Sequence, residues 1–211
     1  FRNGAQADTI DEGESFNDSV TAVAVVIQDS SGIDISASSI ELYKGLSKIT
    51  GTKTTIGDSV LVLTLADSLD ISTEDGNYRI TVSARDLKGQ SVTLERRFNF
   101  DRTSPVTRIL FPSTGKIFNT NVTINGSAID TTSSVTAVIV GFDTTAPFGD
   151  TVLYDTAAGT NNWTYFINWA KLSVQSGTTV MIHTRGIDAG RTREDPTDTI
   201  IVTFDSSAAD V

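Results

Sequence analysis

Carboxylates are the chemically capable side chains in surplus here: 26 Asp and Glu stand against 16 Lys and Arg in 211 residues. Eight aspartates sit where the chain turns or changes element: Asp29, Asp34, Asp86 and Asp101 in the first half, Asp130, Asp143, Asp188 and Asp205 in the second. Oxygen ligands of this kind, converging on a junction between domains, are what Ca²⁺ takes, and a bound ion there would stiffen the connection. The spacing is not that of an EF-hand loop, and no continuous acidic linker is present. Aspartate also favours turns because it bonds its own backbone. Calcium is therefore a candidate cofactor, and all eight residues are candidate ligands.

Other chemistry is short of parts. His183 is the only histidine, mid-strand and on the face opposite Ile182, where an exposed side chain is expected. A nucleophile needs a base beside it, and nothing near His183 completes such a set. There are no cysteines, so thiol, disulfide and Cys-type zinc sites are excluded. No glycine-rich phosphate loop precedes a helix. No pair of carboxylates stands out for glycoside cleavage. The expectation is a protein that is not an enzyme. Trp163, Tyr165, Phe166 and Trp169 cluster in sequence, and flat aromatics stack on sugar rings. Alternation turns Trp163, Tyr165 and Ile167 into a core, which leaves Trp169 as the candidate ligand-binding aromatic. Asn17, Asn121, Asn125 and Asn162 begin Asn-x-Ser/Thr triplets, which permit glycosylation.

These side chains must be positioned by strands. Tyr78, Ile80, Val82 and Ala84 alternate with Arg79, Thr81, Ser83 and Arg85, so one face is buried and one wet. Gly76-Asn77 is expected to turn the chain in, and Asp86 to Gly89 to turn it out. Val92, Leu94, Phe98 and Phe100 continue as the partner strand, with Arg96 interrupting the shared face. The design returns near the end. Val180, Ile182, Thr184 and Gly186 alternate, Asp188-Ala189-Gly190 turns, and Ile200, Val202 and Phe204 close. Phe100-Asp101 is echoed by Phe204-Asp205, and Ser30-Ser31-Gly32-Ile33 by Thr132-Ser133-Ser134-Val135. Similar elements in the same order one domain length apart indicate duplication. The reading is all-β, two tandem immunoglobulin-like sandwiches spanning 1–104 and 105–211. Asp101 to Ser104 is the short polar linker, and Pro105 stiffens the entry to the second domain.

The stretches DGNYRITVSARDLKGQ and DSSGIDISASSIEL, and the Phe-Asp-x-Thr-x-Pro connector, resemble bacterial immunoglobulin-like repeats, relatives in shape of fibronectin type III and cadherin modules. VTINGSAIDTTSSVTAVIV and GTNNWTY resemble early and middle strands of the same repeats. By that resemblance Tyr78 matches the corner tyrosine of the penultimate strand. Trp163 matches the aromatic that packs into the core. The second copy departs from the pattern with Val180 in the tyrosine's place and an Asp188 turn one residue shorter.

The resemblance implies a stalk, spacer or adhesin repeat of a secreted or cell-surface prokaryotic protein, flanked by further domains of the same parent chain. Other protein subunits or glycans are the further partners to consider. One alternative is a carbohydrate-binding accessory region of a secreted glycosidase. Another is a self-assembling filament or surface-layer subunit, with residues 1–18 available as a pairing segment. A net charge of −10 disfavours nucleic acid. The most apolar run, Val20 to Ile27, is far too short to span a membrane and suits a buried strand. The chain opens on Phe1 rather than Met, as expected of a processed form or a piece of a longer protein.

Overall fold

A computed structural model describes residues 9–70, 75–144, 152–194 and 198–207, and every regular element among them is a β-strand. The chain divides into two compact units, Phe1–Arg102 and Thr103–Val211. The first unit contains β1 (Glu14–Phe16), β2 (Val20–Val26), β3 (Ser39–Lys44), β4 (Ser47–Lys48), β5 (Gly51–Ile56), β6 (Val60–Leu69), β7 (Gly76–Arg85) and β8 (Ser91–Phe100). One sheet runs β1-β8-β7-β3-β4, the other β2-β6-β5. Strict alternation along β7 buries Tyr78, Ile80, Val82 and Ala84, as a period of two requires. Tyr78, Ile80 and Val82 meet Leu61, Leu63 and Leu65 of β6 across the sandwich in a single apolar cluster. Phe16, Tyr78, Phe98 and Phe100 close one end of it with stacked and edge-on rings.

The second unit contains β9 (Val106–Phe111), β10 (Ile117–Phe118), β11 (Val122–Ile129), β12 (Val135–Asp143), β13 (Val152–Thr156), β14 (Asn162–Ile167), β15 (Thr178–Asp188) and β16 (Asp198–Phe204). Its sheets run β10-β16-β15-β12-β13 and β14-β11-β9. The larger sheets of the two units have the same design: a short first strand joins parallel to the last strand, while the other pairs are antiparallel. Phe16 pairs with Phe100 as Phe118 pairs with Phe204. The duplication inferred from sequence is thus present in the strand pairing. Each unit is an immunoglobulin-like β-sandwich, two sheets closed on their own apolar cluster.

Four details differ from expectation. The division falls before Thr103 rather than after Ser104, because Thr192 Oγ1 donates to the Thr103 carbonyl and Ser104 Oγ to the Arg193 carbonyl. Gly76 and Asn77 are not a turn but the start of β7, paired with Phe100 and Asn99. Val92 and Leu94 are exposed at 53% and 64%: although they lie opposite Ala84 and Val82, the second sheet does not reach over them. In β2 only Val20 and Val23 are fully buried, so Val20 to Ile27 is a half-buried strand. Of the segment 1–18, Glu14–Phe16 is β1, and residues 1–8 lie outside the described residues.

Candidate metal site

Both units place an aspartate after the strand that follows the first short one, and a second where the penultimate strand ends. In the first unit Asp29 Oδ1 accepts the Ser31 amide at 2.6 Å. Asp86 Oδ1 accepts the Lys88 and Gln90 amides at 3.0 and 2.7 Å. Both line a cleft of about 240 Å³ with Ile33 and Gln90. Asp34 is nearby in the same turn region but uses Oδ1 on the Ser36 hydroxyl and the Ala37 amide, and these bonds hold its carboxyl below the usual range.

In the second unit Asp130 Oδ1 accepts the Thr132 and Ser133 amides at 2.8 and 2.5 Å. Asp188 Oδ1 accepts the Thr192 amide at 2.8 Å, and its Oδ2 takes the Thr192 hydroxyl. Self-capping by aspartate fixes these turns, as its short acceptor side chain allows. The two pairs are therefore equivalent, Asp29 with Asp130 and Asp86 with Asp188. In the second unit they come together: oxygens of Asp130 and Asp188 lie within 4.8 Å of one another. Asp130 Oδ2 is buried without a hydrogen-bond partner. Burial, reinforced by the charge of Asp130, pushes the Asp188 carboxyl above its ordinary range.

Asp101 ends the first unit fully buried, its amide donating to the Phe16 carbonyl at 2.9 Å. Asp143 lies at the opposite end of β12 from the Asp188 pairing, about 25 Å away along the strand at 3.3 Å per residue. Asp205 follows β16 at that far end and accepts from Ser176 Oγ, Ser207 Oγ and the Ser207 amide, which lowers its carboxyl's pKa.

Trp169 is not a ligand platform. It is 1% exposed, stacked on Phe118 and Phe204, and its indole N–H donates to the Thr120 carbonyl at 2.8 Å. A ring with both faces in contact and its donor satisfied offers nothing to a sugar. Trp163 and Ile167 are core residues as alternation predicts, while Phe166 faces outward. His183 is half-buried rather than exposed, because Tyr154 stacks on it at 5.6 Å; desolvation holds its pKa below the usual value.

The Asp188 turn is not shorter than its counterpart. Asp86 and Asp188 each donate N–H to the carbonyl four residues on. Arg191, with φ of 67°, takes the left-handed position that Gly89 holds at 86°, so Gly190 is not the turn glycine.

Sequence reasoning missed Glu194. It is buried and accepts from the Thr107 amide, the Thr107 hydroxyl and the Gly186 amide. Asp198 likewise takes the Ile109 amide at 2.6 Å. Thr107 and Ile109 lie nearly a domain length away from them in sequence, and no local pattern announces these pairings.

No family model matches the chain, and no curated protein does. Among solved structures it is similar to the fibronectin(III)-like modules of Clostridium thermocellum CbhA, at 15% identity, covering 97% of this chain and 96% of that one, with a TM-score of 0.46. It is also similar to a tetra-tandem repeat from the extending region of a large adhesion protein, at 18% identity over 89% of this chain and 46% of that one, with a TM-score of 0.42. The class is defined by the strand order itself: two immunoglobulin- and fibronectin III-like sandwiches in one chain.

Proposed function

We propose that the chain is a non-catalytic structural segment of a secreted or cell-surface protein, a spacer or adhesin repeat that holds other parts at a distance. Repetition carries this reading. One sandwich is built twice, with the same order in the larger sheet, the same Phe–Phe pairing and the same turn aspartates. A spacer gains length by repeating a self-contained unit, and each unit here closes its own core. Pulling the full chain from its ends is the test. Two separate unfolding events are expected, each releasing roughly 30 nm for about 100 residues. One event spanning the whole chain would overturn the reading. Retention by any member of a glycan array would move it to the carbohydrate-binding alternative.

A second reading rests on Asp130, whose buried Oδ2 has no hydrogen-bond partner and lies close to Asp188. A divalent cation would satisfy that oxygen and relieve the repulsion between the two carboxylates. We propose Ca²⁺, held by Asp130 and Asp188 of the second unit. Calorimetric melting of the full chain with Ca²⁺ and then with chelator is the measurement. A raised transition that Asp130→Asn abolishes is expected; an unchanged one removes the metal.

A further inference from the structure

The two units share a strand pattern but not a surface. In the smaller sheet of the first unit, Val23 of β2 and Leu61, Leu63 and Leu65 of β6 face the core. Alternation therefore turns their neighbours outward, in three cross-strand rows: Val26–Val60–Ile56, Ala24–Val62–Thr54 and Ala22–Thr64–Thr52. None of these nine side chains is charged, and Val26 and Ile56 are exposed at 63% and 64%. The outer face of the larger sheet, by contrast, carries Arg79, Glu95 and Arg97 in ion pairs. Counting back from the matched turn aspartates Asp29 and Asp130 sets Ala22, Ala24 and Val26 against Thr123, Asn125 and Ser127. Strand pairing then sets Val60 and Val62 against Asn162 and Thr164. Five apolar side chains thus stand where the other copy has hydrogen-bonding ones; only Thr64 against Phe166 reverses the order. Outward side chains hold neither core, so the fold itself does not demand this difference. An apolar face kept where a polar one serves the same fold marks a contact surface.

We propose that this face binds the same face of a second copy of the chain, the two sheets stacking across a two-fold axis as sheets stack within a sandwich. Charge selects this occupant. The chain carries a net charge of −10, so two copies repel wherever charged surfaces approach, and these nine positions bring no charge to the contact. A charged partner finds no complement here. The matching surface is an uncharged β-branched face of equal size, which the second copy supplies. Area sets the strength. Three strands about 4.8 Å apart and five residues of about 3.3 Å make a patch of roughly 240 Å² on each copy. A stable interface takes about 800 Å² from each partner, so the contact is weak, with half-association near millimolar concentration. Weak contacts of this kind gain strength where several copies lie side by side.

Amide chemical shifts of the isotope-labelled full chain, followed from about 20 μM to about 1 mM, read the contact directly. Concentration-dependent shifts are expected in β2, β5 and β6, with Ala24 and Val62 at their centre. The variant carrying Ala24→Asn, Val26→Ser and Val62→Thr takes the residues that the second unit holds at the matched places. It should keep the fold and associate at least tenfold more weakly by sedimentation equilibrium. Should that variant fail to fold, the shift map of the parent decides alone. A parent whose shifts stay constant to about 1 mM overturns the proposal. So do shifts centred on other strands, or a folded variant that associates as the parent does.

Discussion

Thr107 and Glu194 meet twice: the Thr107 amide donates to Glu194 Oε1 at 2.8 Å, and the Thr107 hydroxyl to Oε2 at 2.6 Å. The same Oε2 accepts the Gly186 amide at 3.1 Å. One buried carboxylate therefore ties β9 of the smaller sheet to β15 of the larger one. Charge-assisted bonds of this kind are the strong ones, and the amides left behind by truncation are costly to bury unpaired.

Glu194→Ala is therefore expected to destabilise the second unit by about 2–4 kcal/mol. Urea unfolding of the full chain should show the transition of residues 103–211 moving to lower denaturant while that of the first unit stays. If both transitions hold their midpoints, the carboxylate is not the tie described.

Arg191 offers a gain rather than a loss. It occupies the left-handed region where the first unit has Gly89. A side chain there costs about 1 kcal/mol relative to glycine. Arg191→Gly should raise the melting temperature of the second unit by a few degrees. A fall in that temperature would show that Arg191 makes compensating contacts.

What was legible in the sequence, and what was not, divides by range. Tyr78 to Ala84 and Val180 to Gly186 could be assigned because period-two burial is local. The duplication could be seen because Phe100-Asp101 and Phe204-Asp205 are copies. The outward-looking Trp169 misled because its coverage by Phe118 and Phe204 comes from distant strands. Leu94 misled for the converse reason: its own strand points it inward, but nothing in the opposite sheet reaches it. Of the eight aspartates, position at a turn selected all of them equally. Only tertiary pairing separates Asp130 and Asp188, which meet, from Asp143 and Asp205 at the other end of the sandwich.

His183, the only histidine, can be followed without assignment by proton NMR. Desolvation under the Tyr154 ring, then the charge of Arg185, depress its pKa against the opposing pull of Asp143. Its titration should fall below the ordinary value of about 6.5, and Tyr154→Ala should move it upward as water reaches the ring. A titration that ignores removal of Tyr154 would mean the stacked ring is not what excludes water.

Asp188 sets the sign of a pH effect on the second unit. Its folded-state pKa is raised, first by burial and then by Asp130, with the Thr192 bonds opposing. The folded state therefore holds a proton that the unfolded state has released once pH passes the ordinary carboxyl value of 3.8. The resulting stabilisation is complete below that value and is lost as pH rises through the folded-state pKa. Asp188→Asn removes this slope while keeping most of the side chain's shape. Asp205, shifted the other way, contributes equally to both proteins and cancels in the comparison. In chelator, the melting temperature of the second unit in Asp188→Asn should therefore gain on that of the parent as pH rises from 4 toward neutrality. Saturating Ca²⁺ should close that gap by neutralising the parent's carboxylates. Parallel melting curves in chelator would show that Asp188 ionises in the fold as freely as in the unfolded chain, and the electrostatic case for a cation beside Asp130 would go with it.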